Sequence, residues 1–373
     1  MDLVRKHEKL PLFCKVLYGL AAGCLLLYFL FVRIPAFADW FNDNISKIGR
    51  QILSYLTVLF PFSFAELLLL FSPVLLGIVI WRVIRIYSKS GKATAAFLGR
   101  VAAWVCLVAV LFILCFAPGY YGKTLDEKLG LERAPVLTEE LYQTALLLTE
   151  KINSLAENFD ALNSGSTIMP YTIAEMNQKL MTAYQNYTRG KSFPDHFYSR
   201  VKPIMTSKLM SYAHISGVYT FFTGEANLNV DFPDYGIPFT AAHELAHQRG
   251  VAREDEANFI AFLVCYCSED AYLQYSGYLN LYEYIANALY SASPELWKEV
   301  WDKLDYRVQN EEYAYAAFFE RYRHNVIATA SEKVNDVYLH SQGAEAGARS
   351  YDLVVDLAVA FFRDRLPSSG GTN

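Results

Sequence analysis

Charge is scarce in this chain. Asp, Glu, Lys and Arg make up 19% of its 373 residues against 53% hydrophobic ones, and the formal net charge is −5. No block of Lys and Arg follows the apolar first third, so the electrostatic footprint of a nucleic-acid binder is missing. Cysteine is also sparse. Of six, Cys14, Cys24, Cys106 and Cys115 fall inside apolar segments, where they are read as small hydrophobic residues. Cys265 and Cys267 stand two apart on a helix-compatible stretch, so they project from different faces and do not readily bridge. With no second Cys or His pair at zinc-finger spacing, they are read as structural. No internal repeat is evident, and low complexity is confined to a short tail, residues 367–373, expected to be disordered.

What the chain has instead is apolar length. Three runs, about 10–31, 62–81 and 95–116, are each long enough to cross a bilayer as helices and are bounded by basic or aromatic residues. No clear small-residue cleavage site follows the first, so it is read as a retained span rather than a signal peptide. Residues 1–117 thus form a membrane anchor, 118–135 a linker and 136–366 a globular domain. Arg5, Lys6 and Lys9 precede the first span; Arg82, Arg85, Lys89 and Lys92 lie between the second and third, with Arg100 at the start of the third. The positive-inside rule puts both segments on the cytoplasmic face and everything after residue 118 outside, in a multi-pass protein of the cell membrane. Ile45 to Phe60 is expected to lie amphipathically along the outer surface, and Glu66, next to Phe60, Pro61 and Phe62, to sit at the interface.

Beyond the anchor the pattern is mainly α. Apolar residues recur at helical spacing in Leu137 to Phe159, Ile173 to Tyr187, Phe197 to His214 and Tyr272 to Tyr290, and Ser293-Pro294-Glu295 starts another helix. One region alternates instead. Gly217 to Thr223 and Ala226 to Val230 read as two short strands joined through Gly224.

Directly after these strands comes His243-Glu244-Leu245-Ala246-His247. Histidines four apart on a helix share one face, so both imidazoles can reach one ion. Glu244 is one position round, placed to act as general base on a water polarised by Zn2+. At ordinary residue frequencies the motif arises by chance in such a chain on the order of one time in a hundred. A catalytic zinc needs a third ligand. On an unbroken helix Glu254 would stand about 16 Å along the axis from His243, so the helix is expected to end at Gly250 and a new one to bring Glu254 or Glu256 back to the ion.

Glu254-Asp-Glu-Ala-Asn258 resembles the Glu-x-x-Ala-Asp/Asn third-ligand helix of gluzincin-type peptidases. The resemblance implies a zincin-like domain with Glu254 as ligand and Asn258, one turn later, supporting the ligands from behind. The interval between the second His and the Glu is shorter than in those families. A metzincin's third His would fall on Arg253, which binds no metal. Over nearly its full length the chain is similar to an uncharacterised bacterial membrane family, domain of unknown function 3810. The apolar spans, the His243 to Phe259 block and the late Val334 to Leu339 and Ser350-Tyr351 segments carry that similarity.

The expected function is a membrane-anchored zinc metallopeptidase, an endopeptidase acting on envelope proteins or peptides. The alternative is a metal-bound membrane sensor or scaffold that cleaves nothing. The Ala226 to Val230 strand could offer a free edge to an extended peptide. Tyr338, His340 and Tyr351 are candidates for oxyanion donor, a role left unassigned. Protease added to spheroplasts should digest the part after residue 118; its protection would overturn the three-span orientation.

Overall fold

The computed structural model of the protein describes residues 9–88, 90–159, 166–191, 193–323, 325–342 and 353–366. Arg5, Lys6, Lys89, Ser350, Tyr351 and the tail 367–373 lie outside them. The chain divides into two compact units, one comprising residues up to Gly122 together with Thr220–Glu225, the other Lys123–Tyr219 with Ala226 onward.

In the first unit, α1 (Leu12–Arg33) is followed by α2 (Pro35–Phe41), a π turn (Asn42–Ser46), α3 (Lys47–Val58), α4 (Phe64–Tyr87) and α5 (Gly91–Cys115). Helices α1, α4 and α5 are each long and apolar enough to cross a membrane. Leu69, Phe71, Val74 and Leu76 of α4 are exposed, as a lipid-facing helix requires. α1 packs along α5 through Cys24, Phe31, Val110 and Ile113.

Helix starts follow local chemistry. Ser63 Oγ accepts from Glu66 N–H at 3.0 Å and Ser90 Oγ from Ala93 N–H at 3.2 Å. Glu225 adds a carboxylate to the start of α4, accepting from Phe64 and Ala65 N–H at 3.0 Å each. α3 is amphipathic: Ile48, Ile52, Tyr55 and Leu56 are exposed, while Arg50 and Ser54 are buried. The Arg50 guanidinium donates to Asn42 Oδ1 at 2.8 Å and to the Cys115 carbonyl at 3.0 Å, so its charge is hydrogen-bonded where it is buried. All six cysteines are free thiols.

The second unit begins inside the expected linker, with α6 (Leu125–Leu129), whose Leu125 joins the core. Then come α7 (Thr138–Ala156), α8 (Ile173–Thr188), β1 (Val201–Pro203), α9 (Ser207–Tyr212), β2 (Gly217–Thr220) and β3 (Glu225–Leu228). The remaining helices are α10 (Gly236–Gln248), α11 (Glu254–Tyr266), α12 (Ala271–Ala292), α13 (Pro294–Trp301), α14 (Tyr306–Glu320), α15 (Val326–Ser341) and α16 (Val354–Phe362). α12 packs along α7, α10 and α11. Its Gly277 lets it close on α11: a Cβ there would lie 2.4 Å from Cys265 Cβ. Ser293 Oγ caps α13 by accepting from Leu296 N–H at 3.3 Å, as the Ser-Pro-Glu signal indicates.

Two expectations fail here. Phe197 to His214 is not one helix, because Val201-Lys202-Pro203 is drawn into the sheet and Pro203 cannot donate within a helix. Nor does Ala226 to Val230 present a free edge. The sheet order is β1-β3-β2, with β1 parallel to β3 in the register Val201↔Ala226 and Pro203↔Leu228. β3 is therefore the central strand, because a segment more than twenty residues earlier pairs with it.

Glu311 on α14 is fully buried, and its Oε1 accepts from Thr167 N–H at 2.8 Å and from the Thr167 hydroxyl. Burial pushes its carboxyl up to about 7, against the opposing pull of the Thr167 bonds. The folded protein therefore holds this proton to higher pH than the unfolded chain, and stability falls as pH rises through about 4.5 to 7. Glu311→Gln should raise the unfolding midpoint at pH 8 by several degrees and change it little at pH 4.5, measured by thermal unfolding in detergent.

Candidate metal centre

α10 is buried almost throughout, its polar His243, Glu244, His247 and Gln248 included. Phe239 N–H donates to Ser276 Oγ at 3.0 Å near its start, and Tyr184 Oη–H donates to the Ala242 carbonyl at 2.6 Å in its middle. The helix stops where the sequence indicates. Gly250 has φ 93°, Val251 N–H bonds the Ala246 carbonyl at 3.1 Å, and Gly250 N–H bonds that of His247 at 3.0 Å. This pair of bonds is the Schellman closure. Arg253 is extended, and α11 starts at Glu254.

The reversal brings three side chains together. His243 Nε2 lies 3.2 Å and His247 Nε2 3.4 Å from Glu254 Oε2. The ligating atoms of all three residues fall within 4.8 Å of one another, the one such grouping of three or more His, Cys, Asp or Glu among the described residues. The two rings stand edge to face, 4.6 Å apart at 89°. His247 Nδ1 is 2.7 Å from the Val251 carbonyl. A carbonyl only accepts, so Nδ1 carries a hydrogen, and in the neutral ring the lone pair is on Nε2, on the Glu254 side.

These residues fit a zinc ion. Ligands at about 2.0–2.1 Å from a tetrahedral zinc stand about 3.3–3.4 Å from each other, which matches both nitrogen–carboxylate separations. Polar atoms are also left over: His243 Nδ1 and Glu244 Oε2 are buried without a hydrogen-bond partner among the described residues. Burial alone would raise the Glu254 carboxyl, but the two imidazoles hold it well below the usual range. Burial would lower His247, yet the Glu254 carboxylate outweighs it and lifts the ring to about 9. Glu244 moves the other way: burial raises its carboxyl despite both histidines.

Glu256 is engaged elsewhere. Its Oε1 accepts from Leu125 N–H and from Arg253 Nη1, each at 2.9 Å. Asp255 accepts from Arg133 Nη2 at 2.9 Å. Only Glu254 of the acidic run turns to the histidines. Asn258 is buried, with Nδ2 lacking a partner among the described residues. His340 bonds the Asp336 carbonyl of its own helix and is half-exposed; no described contact brings it or Tyr338 to the histidines. Two backbone groups complete the site without any mark in the residue pattern: the Val251 carbonyl that orients His247, and the N–H of Tyr219, which donates to the Glu244 carboxylate. Backbone groups carry no residue-type signal, so neither had a pattern to find.

Gly250→Ala should cost about 1–2 kcal/mol, because an alanine in the left-handed region is strained. The loss should appear as a lowered midpoint in thermal unfolding of the purified protein.

No curated protein and no solved structure matches the chain. A family pattern does, across residues 41–359. The three long apolar helices, the small sheet and the buried histidine–glutamate cluster are therefore features of a member of that family, and the chain belongs to the one described as "Protein of unknown function (DUF3810)".

Proposed function

We propose that the protein is a membrane-anchored, zinc-dependent endopeptidase with a zincin-like catalytic domain. The observation that carries this reading is the meeting of His243, His247 and Glu254 around one point, with Glu244 on the buried helix of the two histidines and one of its oxygens without a partner among the described residues. A structural metal site has no use for that carboxylate.

In this reading His243 Nε2, His247 Nε2 and a Glu254 oxygen hold the ion. Zinc, when bound, supplies Lewis acidity that acidifies water and polarises the scissile carbonyl. Glu244 Oε2 takes the proton from water and delivers it to the departing amine nitrogen. The raised affinity of the buried Glu244 carboxyl for protons suits a group that must both accept and return one. The Val251 carbonyl keeps His247 in the tautomer that offers Nε2. With the amino terminus inside, α1, α4 and α5 would leave the domain outside the membrane, next to envelope proteins and peptides as substrates.

Zinc content and casein hydrolysis of the purified full-length protein test the proposal. His243→Ala, His247→Ala and Glu254→Ala should each lose most of the zinc, while Glu256→Ala keeps it. Glu244→Gln should retain zinc and lose hydrolysis by about 10³-fold or more. Full zinc with unchanged hydrolysis in Glu244→Gln removes the mechanism. Zinc without any hydrolysis in the parent leaves a metal-holding sensor or scaffold instead.

A further inference from the structure

We infer that Gly217 is a positioning residue for Glu244, confining the carboxylate to one orientation by having no side chain of its own. The inference rests on the peptidase reading and names what aims its general base.

At Gly217, β2 comes into contact with α10. A Cβ built on Gly217 would stand 2.6 Å from both Glu244 Cγ and Oε1, and 2.9 Å from Cδ. Carbon atoms settle at about 3.5–4.0 Å, so not even a methyl group fits while Glu244 stays where it is. The clash reaches Cγ as well as the carboxylate tip, so relief requires turning the whole side chain. Gly217 is also absent from the glycines with positive φ. Backbone freedom is therefore not what the position needs; space is.

Two residues on, Tyr219 N–H donates to the same carboxylate. The strand thus acts on Glu244 twice, with the Gly217 main chain closing one side and the Tyr219 N–H holding an oxygen. Glu244 is only 4% exposed, and its Oε2 has no partner among the described residues. One oxygen is restrained and the other is left for a proton. A general base works only within hydrogen-bond reach of its proton, so a carboxylate displaced by an ångström loses much of its effect.

The test is a double-substitution cycle on thermal unfolding of the full-length protein in detergent, which needs no substrate. Gly217→Ala should lower the midpoint by about 3–8 °C in the parent. In the Glu244→Ala background the same change should cost less than about 1 °C, since the obstructing side chain is gone. Equal losses in both backgrounds overturn the inference.

Kinetics then separate positioning from packing. Gly217→Ala should keep its zinc and its KM for casein while kcat falls about 10–100-fold. An unchanged kcat in Gly217→Ala rejects the positioning role. A parent that hydrolyses nothing rejects the peptidase reading instead, and the unfolding cycle still decides whether Gly217 confines Glu244.

Discussion

Two histidines on one helix and a glutamate on the next can share an ion only if the chain reverses between them, and that reversal depends on Gly250. With φ at 93°, it allows Val251 N–H to close back on Ala246 while the chain leaves α10. Any other residue would carry a Cβ into the following carbonyl. The same turn sets the Val251 carbonyl against His247 Nδ1 and starts α11 with Glu254 facing both rings. One backbone conformation thus supplies the third member of the cluster and the tautomer of the second histidine.

Burial gives this turn its chemical effect. α10 and α11 are enclosed by apolar side chains, among them Leu245, Ala246, Phe259 and Phe262. In such surroundings a lone carboxylate or imidazolium is costly, so ionisable groups settle only against each other or against a cation. Glu254 is held ionised by the two imidazoles, and Glu244, with less compensation, is driven toward its protonated form. Two carboxylates ten residues apart in sequence thus receive opposite treatment from one small volume.

Much of the layout was legible from residue pattern. The apolar runs correspond to α1, α4 and α5, and the Ser-Pro-Glu start of α13 and the helix stop at Gly250 follow from side-chain chemistry that acts within a few residues. Where distant segments decide, local pattern misleads. Phe197 to His214 has helical periodicity, yet Val201–Pro203 becomes a strand because β3 offers it a parallel partner. That pairing makes β3 central and leaves β2 as the strand that meets Glu244.

The sequence by itself determined that two histidines share a helix face, that a glutamate lies one position round, and that the helix must stop before the acidic run. Each follows from helical geometry and the conformational preference of glycine, which act along the chain. Only the tertiary structure decided between the acidic residues. Glu256 is taken by Leu125 N–H and Arg253, Asp255 by Arg133, and Glu254 alone is turned to the rings. Leu125 and Arg133 lie in remote segments, and a carboxylate's hydrogen bonds to such donors depend on which of them packing brings within about 3 Å, a distance that spacing in sequence does not encode.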